Sequence, residues 1–314
     1  MSQQVLKLSL QKAWRIPRKL VSMASLMPSE LAFRVEVAKH TCNLPTLSMA
    51  DLAIVNALKQ EGVFMTSLNA LSLPSTAAML KATESLLPKL SAFPDQRSGF
   101  DTHVGQADIL DYPDLFLWGL NERLLNIVEH YIGLPVAFND IQIRKDFANG
   151  VKAGSRLWHV DSYDHRILRI IIYLRDVTAT DGPFEYISRQ STKLTLPILE
   201  QFGAIPDGVI EQFVSPVHIN PCLGSAGTVV FASTSGILHH GTVPITSDRY
   251  ILVFNYNSRQ PKRPEEARPK LSRNRLISIA SQLSHRQKEC LLWAYSGDAD
   301  TAKREKSLIS DAPK

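Results

Sequence analysis

Three residues of this chain have the types and the spacing of ligands to a single metal ion. His159 and Asp161 are two positions apart in the segment 157–161, whose composition predicts a β-strand. Because residues i and i+2 of a strand point to the same face, an imidazole nitrogen and a carboxylate oxygen would reach the same point. A third ligand is available much later in the chain at His239, with the adjacent His240 as the alternative. The pattern predicts a site of two imidazoles and one carboxylate.

This donor set indicates a class of chemistry. Two imidazoles and one carboxylate on one face of an iron(II) ion leave three coordination positions open, enough for a bidentate 2-oxo acid and dioxygen. A closed four-ligand zinc site has no such vacancy. The sequence also contains neither an H-E-x-x-H motif nor a cysteine ligand set for a zinc hydrolase. The prediction is therefore an oxygenase rather than a hydrolase.

The co-substrate of such a site needs further residues. A dicarboxylic 2-oxo acid requires a cation for its distal carboxylate, and the planar guanidinium of arginine suits a bidentate contact. Arg249 lies ten residues after His239 at the start of a predicted strand, and the turn 244–248 would bring it back beside the metal. Four other polar residues beside the site are further candidates for contact with the co-substrate: Gln142, Arg144, Tyr173 and Thr242.

Longer segments around these residues occur in a characteristic order. They are Trp158-His159-x-Asp161, then Leu168-Arg169-Ile170-Ile171-Ile172-Tyr173-Leu174-Arg175-Asp176-Val177, then Asp181-Gly182-Pro183-Phe184-Glu185-Tyr186-Ile187, then Gly227-Thr228-Val229-Val230-Phe231, and then His239-His240-Gly241-x-x-Pro244 with Arg249. In this order and spacing, over about residues 134–257, the chain resembles the phytanoyl-CoA dioxygenase-like oxygenases.

The resemblance implies a double-stranded β-helix that binds iron(II) and uses 2-oxoglutarate and O2 as co-substrates. Oxidation of the substrate, usually hydroxylation of an unactivated C–H bond, would accompany release of succinate and CO2. The family pattern of His, one variable residue and Gly, with Arg ten residues on, fits His239 rather than His240. One departure is Ser188-Arg189-Gln190-Ser191, which replaces the usual Pro-Gly-Ser-His turn and puts the local turn in doubt.

Other outcomes use the same scaffold. Hydroxylation of a small organic or lipid-like substrate is the main prediction, while desaturation, epimerisation and cyclisation use the same intact triad and stay open as alternatives. A halogenase replaces the carboxylate ligand by Gly or Ala to admit halide, and Asp161 argues against that activity. A catalytically inactive jelly-roll binding protein is an alternative from a different class. Retention of all three ligands and of Arg249 argues against it.

Helices are predicted to dominate the first half of the chain. Ser48 and Asp51 have the pattern of a helix start, apolar positions then recur at helical spacing, and Gly62 marks the end of this helix. Further elements are expected at 63–66 (a strand), at about 73–90 and 113–131 (helices), and near 276–295 (a C-terminal helix).

From about Leu134 the sequence changes to short segments rich in Val, Ile, Tyr and Phe. Strands are predicted at 136–144, 157–161, 168–174, 182–187, 228–231 and 250–257. Many short strands in one block indicate an antiparallel jelly roll, which corresponds to the double-stranded β-helix that the resemblance implies. The predicted fold class is mainly β with flanking helices: a jelly-roll core with an N-terminal helical region and a C-terminal helix.

Charge and proline content divide the chain into three parts. Residues 1–45 are a basic N-terminal arm, with seven Lys and Arg against two acids, and residues 259–314 are a basic linker and C-terminal helix. Residues 46–258 are the predicted oxygenase domain, with the jelly-roll core at about 134–257 and a lid-like insertion at 189–224. The insertion is marked by four prolines: Pro197, Pro206, Pro216 and Pro221.

Composition limits the partners and the compartment. The net charge of +5 lies mostly at the two ends and favours an anionic small-molecule substrate. The basic residues lack the interleaved aromatics of a nucleic-acid platform, so no nucleic-acid partner is predicted.

Three unpatterned cysteines indicate a reducing compartment, and no apolar run is long enough to cross a membrane. A cytoplasmic location is predicted. For residues 1–29 a transit peptide, an arm on an anionic membrane surface and a solvated helix are the three interpretations.

Overall fold

The computed structural model describes residues 28–90, 99–199, 203–267, 269 and 272–295. Residues 1–44 and 45–314 form two compact units. In the first unit the described residues form a helix, α1 (28–40), and the 3₁₀ turn Thr41–Asn43. The three interpretations of residues 1–29 therefore concern a segment that lies almost entirely outside the described residues.

The second unit opens with a helix that the sequence predicts. α2 (Met49–Gln60) begins after Ser48, whose hydroxyl accepts a hydrogen bond from the Asp51 N–H at 3.1 Å. The chain leaves this helix at Gly62, where φ is +97° and a Cβ atom would overlap the Ile237 side chain. Glycine is required there both for the left-handed backbone and for the close approach. The predicted start and end of this helix are confirmed.

Short elements follow up to residue 132. In chain order they are β1 (Val63–Ser67), α3 (Leu68–Leu71), α4 (Thr76–Leu86) with the 3₁₀ turn Leu87–Leu90, β2 (Asp101–His103), α5 (Gln106–Ile109), α6 (Pro113–Gly119) and α7 (Glu122–Ile132). The prediction of one helix over 113–131 was wrong. Gly119 packs so closely on Phe138 and Phe254 that a Cβ would lie 2.7 Å from either ring. The Asn121 side chain then caps a new helix by accepting the Arg123 N–H at 3.0 Å.

The remaining strands complete two antiparallel sheets. They are β3 (Val136–Asp146), β4 (Leu168–Tyr173), β5 (Phe184–Ile187), β6 (Ile219–Cys222), β7 (Thr228–Ala232), β8 (His239–Gly241) and β9 (Arg249–Ser258). The larger sheet has the order β1-β7-β4-β9-β3-β2, and the smaller one has the order β6-β5-β8. One buried cluster joins Ile171, Tyr173 and Val253 of the larger sheet to Phe184 and Cys222 of the smaller one. The two sheets therefore pack on each other through an apolar interior.

The segment 157–161 is not a regular strand, and that prediction was wrong. It makes two single bridges, from Trp158 to Ile205 and from His159 to His239. The Trp158 N–H donates to the carbonyl of Ile205, whereas the His159 N–H donates to that of His239. Because successive residues join different partners, no continuous ladder forms.

The insertion at 189–224 contains helices as well as loops. It includes α8 (Arg189–Leu199), α9 (Asp207–Ile210) and the 3₁₀ turn Pro216–His218 before β6. Leu199, Ile205 and Ile210 of this insertion form a buried cluster with Trp158 and Leu238. The insertion therefore supports the two segments that carry the candidate histidine ligands.

The predicted C-terminal helix is divided into two longer pieces and a turn. They are α11 (Arg273–Ala280), α12 (His285–Leu291) and the 3₁₀ turn Trp293–Tyr295, and a further short helix, α10 (Pro264–Ala267), precedes them. The prediction of a single helix over 276–295 was wrong, because Ser284 and Gln287 form a capping box that starts a new helix. In α12, Arg286 pairs with Glu122 at 2.8 Å and so holds the C-terminal region on α7.

The fold is a mixture of helices and antiparallel sheets, with the helices concentrated before residue 133 and after residue 263. The antiparallel pairing and the helical first half are both confirmed. No described helix combines the length and the apolarity that a membrane span requires.

Candidate metal centre and its cavity

The three candidate ligands converge on one point. A ring nitrogen of His159, a carboxylate oxygen of Asp161 and a ring nitrogen of His239 all lie within 4.8 Å of one another. The distance between His159 Nε2 and Asp161 Oδ1 is 3.9 Å. Three donors that each bind one ion at about 2.1 Å lie up to roughly 4 Å apart. The observed separations are close to those of a shared ion.

Main-chain hydrogen bonds fix the segments that carry these side chains. The His159 N–H donates to the His239 carbonyl at 3.1 Å, and the His239 N–H donates to the His159 carbonyl at 3.0 Å. The Asp161 N–H donates to the carbonyl of Thr234, in the loop after β7, at 3.0 Å. All three positions are thus defined by backbone pairing to distant parts of the chain.

The two imidazoles are oriented by the carbonyl two residues before each of them. His159 Nδ1 lies 2.8 Å from the Leu157 carbonyl, and His239 Nδ1 lies 3.1 Å from the Ile237 carbonyl. A proton on Nδ1 satisfies each contact and leaves the lone pair of Nε2 for a ligand. Histidines that bind metals usually have their second nitrogen held in this way.

Burial and neighbouring charges set the protonation states. Burial is the main cause that lowers the pKa of His159 and of His239, the latter to about 3. Burial alone would raise the pKa of Asp161, but Arg169 and the two imidazoles outweigh it and lower that pKa to about 2. At neutral pH the imidazoles are neutral and the carboxylate is ionised, which is the state that metal ligation needs.

The two oxygens of Asp161 face different groups. Oδ1 is on the side of His159, whereas Oδ2 lies 2.8 Å from Arg169 Nη2. The second contact is an ion pair by distance, but its angles leave Oδ2 buried without a directed hydrogen bond among the described residues. A carboxylate that is held by a cation on one oxygen suits a monodentate ligand. Together with two neutral imidazoles, it fits a divalent ion such as iron(II).

His240 is not part of this group. Its Nδ1 lies 3.1 Å from the Arg156 carbonyl, and its Nε2 lies 3.1 Å from Glu185 Oε2. Its ring stacks on Trp158 with the centroids 3.9 Å apart. Consecutive residues of a strand point to opposite faces, so only His239 of this pair joins His159 and Asp161.

A small cavity that opens to solvent lies beside the three candidate ligands. Its lining includes three arginines, Arg144, Arg169 and Arg249, and no carboxylate among the described residues. The apolar part of the wall consists of Ile171, Tyr173, Phe184, Ile251 and Val253. The cavity therefore combines positive charge with a hydrocarbon surface.

Arg249 lies in this wall but is already bonded on one side. Its Nε and Nη2 donate to Asp146 Oδ2 at 3.1 and 2.9 Å, and its Nη1 donates to the Gly182 carbonyl. Arg144 also lies beside Asp146. Burial alone would raise the pKa of Asp146, but Arg144 and Arg249 lower it. By donor count, one N–H of each terminal nitrogen of Arg249 remains for a ligand.

Gly241 leaves the space that this guanidinium occupies. A Cβ at that position would lie 2.6 Å from Arg249 Nη2. Real Cβ atoms are not found so close to another heavy atom, so a larger residue would displace the arginine. This contact gives a physical reason for the glycine two residues after His239.

The other predicted contacts differ in position. Gln142 lines the cavity, and its Nε2 donates to Asp140 Oδ2 at 3.0 Å. Tyr173 also lines it, but its hydroxyl donates to the Cys222 carbonyl at 2.7 Å, so the residue offers its ring rather than its hydroxyl. Thr242 is not brought to this cavity. Its hydroxyl donates to the Pro183 carbonyl at 3.1 Å, and the residue lines a neighbouring cavity instead.

Two residues, one that lines the cavity and one that binds an arginine of its wall, were not singled out from the sequence. The sequence could have indicated Arg169, because it is the one charged residue in an otherwise apolar strand. It is also four positions from the candidate contact Tyr173 and so points to the same face of that strand. Nothing in the sequence indicated Asp146, since its role depends on Arg249, which lies 103 positions away in sequence. A contact between residues so far apart in sequence cannot be predicted from local spacing.

The segment Ser188-Arg189-Gln190-Ser191 forms the start of α8. The Arg189 N–H donates to the Glu61 carbonyl at 3.0 Å, and its Nη2 donates to the carbonyl of Leu58 at 3.1 Å and to the Tyr131 hydroxyl at 3.2 Å. The departure from the family turn is thus a helix start that ties the insertion to α2 and α7.

No family model matches the chain, and no curated protein matches its sequence. Solved structures are similar to it. HygX from Streptomyces hygroscopicus, with nickel and 2-oxoglutarate bound, is 14% identical, with a TM-score of 0.48 over 68% of this chain and 88% of that one. EctD from S. alaskensis, with 2-oxoglutarate and 5-hydroxyectoine, is 19% identical, with a TM-score of 0.49 over 71% and 82%. The α-ketoglutarate-dependent non-heme epimerase SnoN from nogalamycin biosynthesis is 15% identical, with a TM-score of 0.46 over 68% and 84%.

Proposed function

We propose that this chain is an iron(II)- and 2-oxoglutarate-dependent oxygenase of the phytanoyl-CoA dioxygenase-like type, with a double-stranded β-helix core. The observation that carries the proposal is the convergence of His159, Asp161 and His239 within 4.8 Å beside an arginine-lined cavity. The protonation states and the backbone contacts of the two imidazoles support it, because they leave Nε2 of each imidazole and the Asp161 carboxylate unprotonated and able to bind a metal.

Each residue has a defined role in this proposal. His159, Asp161 and His239 hold the metal, which when bound supplies activation of dioxygen coupled to decarboxylation of 2-oxoglutarate to succinate and CO2. Arg249 binds the distal carboxylate of 2-oxoglutarate through the N–H groups that Asp146 and Gly182 leave free. The apolar wall beside them excludes water from the reacting part of the substrate.

Hydroxylation of an unactivated C–H bond in a small organic or lipid-like molecule is the outcome that we favour. Asp161 stands where a halogenase would have Gly or Ala, so halogenation is disfavoured. Desaturation, epimerisation and cyclisation require the same three ligands, and the product alone distinguishes them. A cytoplasmic location and contact of the basic N-terminal arm with a membrane surface remain predictions from the sequence.

Metal and co-substrate binding test the proposal directly. Metal-free protein is titrated under argon with iron(II) and then with 2-oxoglutarate, followed by calorimetry and visible absorption. We expect one metal per chain and a visible charge-transfer band after 2-oxoglutarate is added. On admission of air, we expect slow formation of succinate, measured by mass spectrometry. A protein that binds neither metal nor 2-oxoglutarate would instead be an inactive jelly-roll binding protein.

A matched pair of variants makes the test specific. His239→Ala should lose metal binding and succinate formation. His218→Ala, which removes an exposed histidine outside the cavity, should keep both. If His239→Ala retained wild-type metal affinity, the assignment of the distal ligand would be wrong.

A further inference from the structure

We propose that Arg189 is a positioning residue for the metal centre, because its guanidinium fixes the turn 233–236 and that turn holds the metal ligand Asp161. The inference rests on the proposed function and deepens it. It follows from the contacts of Asp161 with the turn, from the contacts of the turn with Arg189, and from the helices that hold Arg189 in place.

The turn 233–236 lies in the connection between β7 and β8. The Gly236 N–H donates to the Ser233 carbonyl at 2.9 Å and closes the turn, and the Ser233 N–H donates to the Gly62 carbonyl at 2.8 Å. Ser233 and Thr234 are fully buried. The turn is therefore a fixed part of the interior at the point where the chain leaves the larger sheet.

This turn holds the segment that carries Asp161. The Asp161 N–H donates to the Thr234 carbonyl at 3.0 Å. The Ser235 hydroxyl accepts the Ile167 N–H at 2.9 Å and donates to the His165 carbonyl at 3.3 Å. Because three hydrogen bonds join the turn to this segment, a shift of the turn would move the Asp161 carboxylate relative to the two imidazoles.

The Arg189 guanidinium contacts the turn at both of its ends. Its Nη2 donates to the Ser233 hydroxyl, which also forms a hydrogen bond with the Tyr131 hydroxyl. The guanidinium packs so closely on Gly236 that a Cβ atom there would overlap its Nη1 and Cζ. The turn would therefore have to displace this arginine in order to shift.

Two helices hold Arg189 in place. Its Nη2 donates to the Leu58 carbonyl at 3.1 Å and to the Tyr131 hydroxyl of α7 at 3.2 Å. Its backbone N–H donates to the Glu61 carbonyl at 3.0 Å. Leu58 and Glu61 lie at the C-terminal end of α2, where carbonyl groups lack helical partners and the helix dipole favours a cation. The link thus runs from the end of α2 through Arg189 to the turn and to Asp161.

A purely structural arginine and a positioning arginine differ in what their loss changes. Loss of a structural arginine lowers the free energy of unfolding and leaves the metal centre of the folded protein as it was. Loss of a positioning arginine also weakens metal binding and loosens the hydrogen bond of the Asp161 N–H while the protein stays folded. Metal affinity and local amide exchange therefore separate the two roles.

Arg189→Met tests the inference, because methionine keeps a flexible, unbranched side chain without any N–H donor. Metal-free protein is titrated with cobalt(II) by calorimetry, and amide hydrogen exchange in the metal-free state is followed by mass spectrometry. We expect cobalt(II) to bind about tenfold more weakly. Residues 160–167 should exchange several-fold faster, while β3 keeps its wild-type rate. Arg189→Lys should recover part of the affinity, since lysine retains the charge without the planar fork.

Arg123→Met is the matched control. Arg123 of α7 also ties two helices together, through hydrogen bonds from its Nε to both carboxylate oxygens of Asp51 in α2, at 3.0 and 3.1 Å. None of its hydrogen bonds within the described residues reaches the turn 233–236. This variant should lower the free energy of unfolding in urea and should keep the wild-type affinity for cobalt(II) and the wild-type exchange of residues 160–167.

Ser233→Ala approaches the same link from the turn. It removes the hydroxyl that accepts from Arg189 and leaves the other contacts of the arginine in place. We expect a smaller loss of cobalt(II) affinity in the same direction. In the double variant with Arg189→Met it should add little to the loss, because both changes break one link. If Arg189→Met does not fold, Ser233→Ala decides the outcome.

Two results would overturn the inference. One is wild-type cobalt(II) affinity together with wild-type exchange of residues 160–167 in the deciding variant. The other is a loss of affinity in Arg123→Met as large as in that variant, since the loss would then follow from lowered stability alone. Failure of the wild type itself to bind cobalt(II) would instead overturn the proposed function.

Discussion

Two arginine–aspartate pairs lie at the same cavity, and they differ in how completely they are closed. In the pair Arg249 and Asp146, the side chains are 2% and 0% exposed, and the guanidinium is bonded on all three nitrogens. In the pair Arg169 and Asp161, the side chains are 24% and 11% exposed and are joined by one ion-pair contact. We call these the closed pair and the open pair.

The difference predicts different roles for the two pairs: the closed pair stabilises the fold, and the open pair takes part in metal and ligand binding. Asp146 compensates the buried charge of Arg249 and also lies beside Arg144, so its removal leaves the Arg249 charge buried without its partner. Loss of the closed pair is therefore expected mainly to lower the stability of the fold. In the open pair, Asp161 Oδ1 lies on the side of His159, and Nε of Arg169 has no hydrogen-bond partner among the described residues. Loss of the open pair is expected mainly to weaken metal and ligand binding, and the following predictions test that division.

The largest expected effect is on metal binding by the open pair. Asp161→Ala should weaken the binding of cobalt(II) or iron(II) by more than about 100-fold, because it removes a ligand rather than a residue that merely orients one. His159→Ala should do the same. Calorimetric titration of the metal-free proteins measures the effect. Asp176→Ala, at an exposed position, is the control, and comparable losses there would show that the effect is not specific to the site.

The next effect concerns the stability of the closed pair. Asp146→Asn should lower the free energy of unfolding by about 3–5 kcal/mol, since it leaves the Arg249 charge buried without its partner. Asp161→Asn in the open pair should cost less than half as much, because Arg169 stays partly exposed. Urea unfolding of the metal-free proteins measures both. Equal losses in the two variants would remove the distinction between the pairs.

Arg249 should affect 2-oxoglutarate more than metal. Arg249→Gln should raise the Kd of 2-oxoglutarate about 10- to 100-fold through the loss of charged hydrogen bonds worth about 1.5–3 kcal/mol. Titration of the cobalt(II) protein with 2-oxoglutarate measures the change. In the double variant Asp146→Asn with Arg249→Gln, stability should recover in part because both charges are gone, while 2-oxoglutarate affinity should stay low. Recovery of affinity would contradict the role of Arg249.

The smallest effect is expected from Gly241→Ala. The added Cβ would lie 2.6 Å from Arg249 Nη2, so the guanidinium must move by a few tenths of an ångström or more. Overpacking of this kind costs about 1–3 kcal/mol. Titration with 2-oxoglutarate should show a several-fold rise in Kd with metal affinity retained. Gly208→Ala, where no atom lies within 4 Å of the added Cβ, is the matched control.

Much of the candidate site could be predicted from local spacing. The H-x-D segment, the histidine before Gly241 and the arginine ten residues later are all short-range patterns, and the structure brings the three ligands together. The prediction failed where local patterns continue but packing interrupts them. Gly119 and Asn121 divide one predicted helix, and the capping box at Ser284 divides another.

Other features depended on contacts between distant segments. The choice between His239 and His240 was decided by which face of β8 meets His159. Thr242 lies outside the cavity and lines the neighbouring one, where its hydroxyl donates to the Pro183 carbonyl. The contact of Arg169 with Asp161, and its place in the cavity lining, were likewise found only in the folded chain.

The sequence by itself determined the identity of the donors and their local direction, because residue type sets the chemistry and the strand period sets which side chains share a face. Only the tertiary structure decided which charges are compensated. Asp146 and Arg249 are 103 positions apart, and the interaction of two charges depends on their distance in space and on the water excluded around them. Neither quantity is a property of local sequence, so the difference between the closed pair and the open pair could be found only in the folded chain.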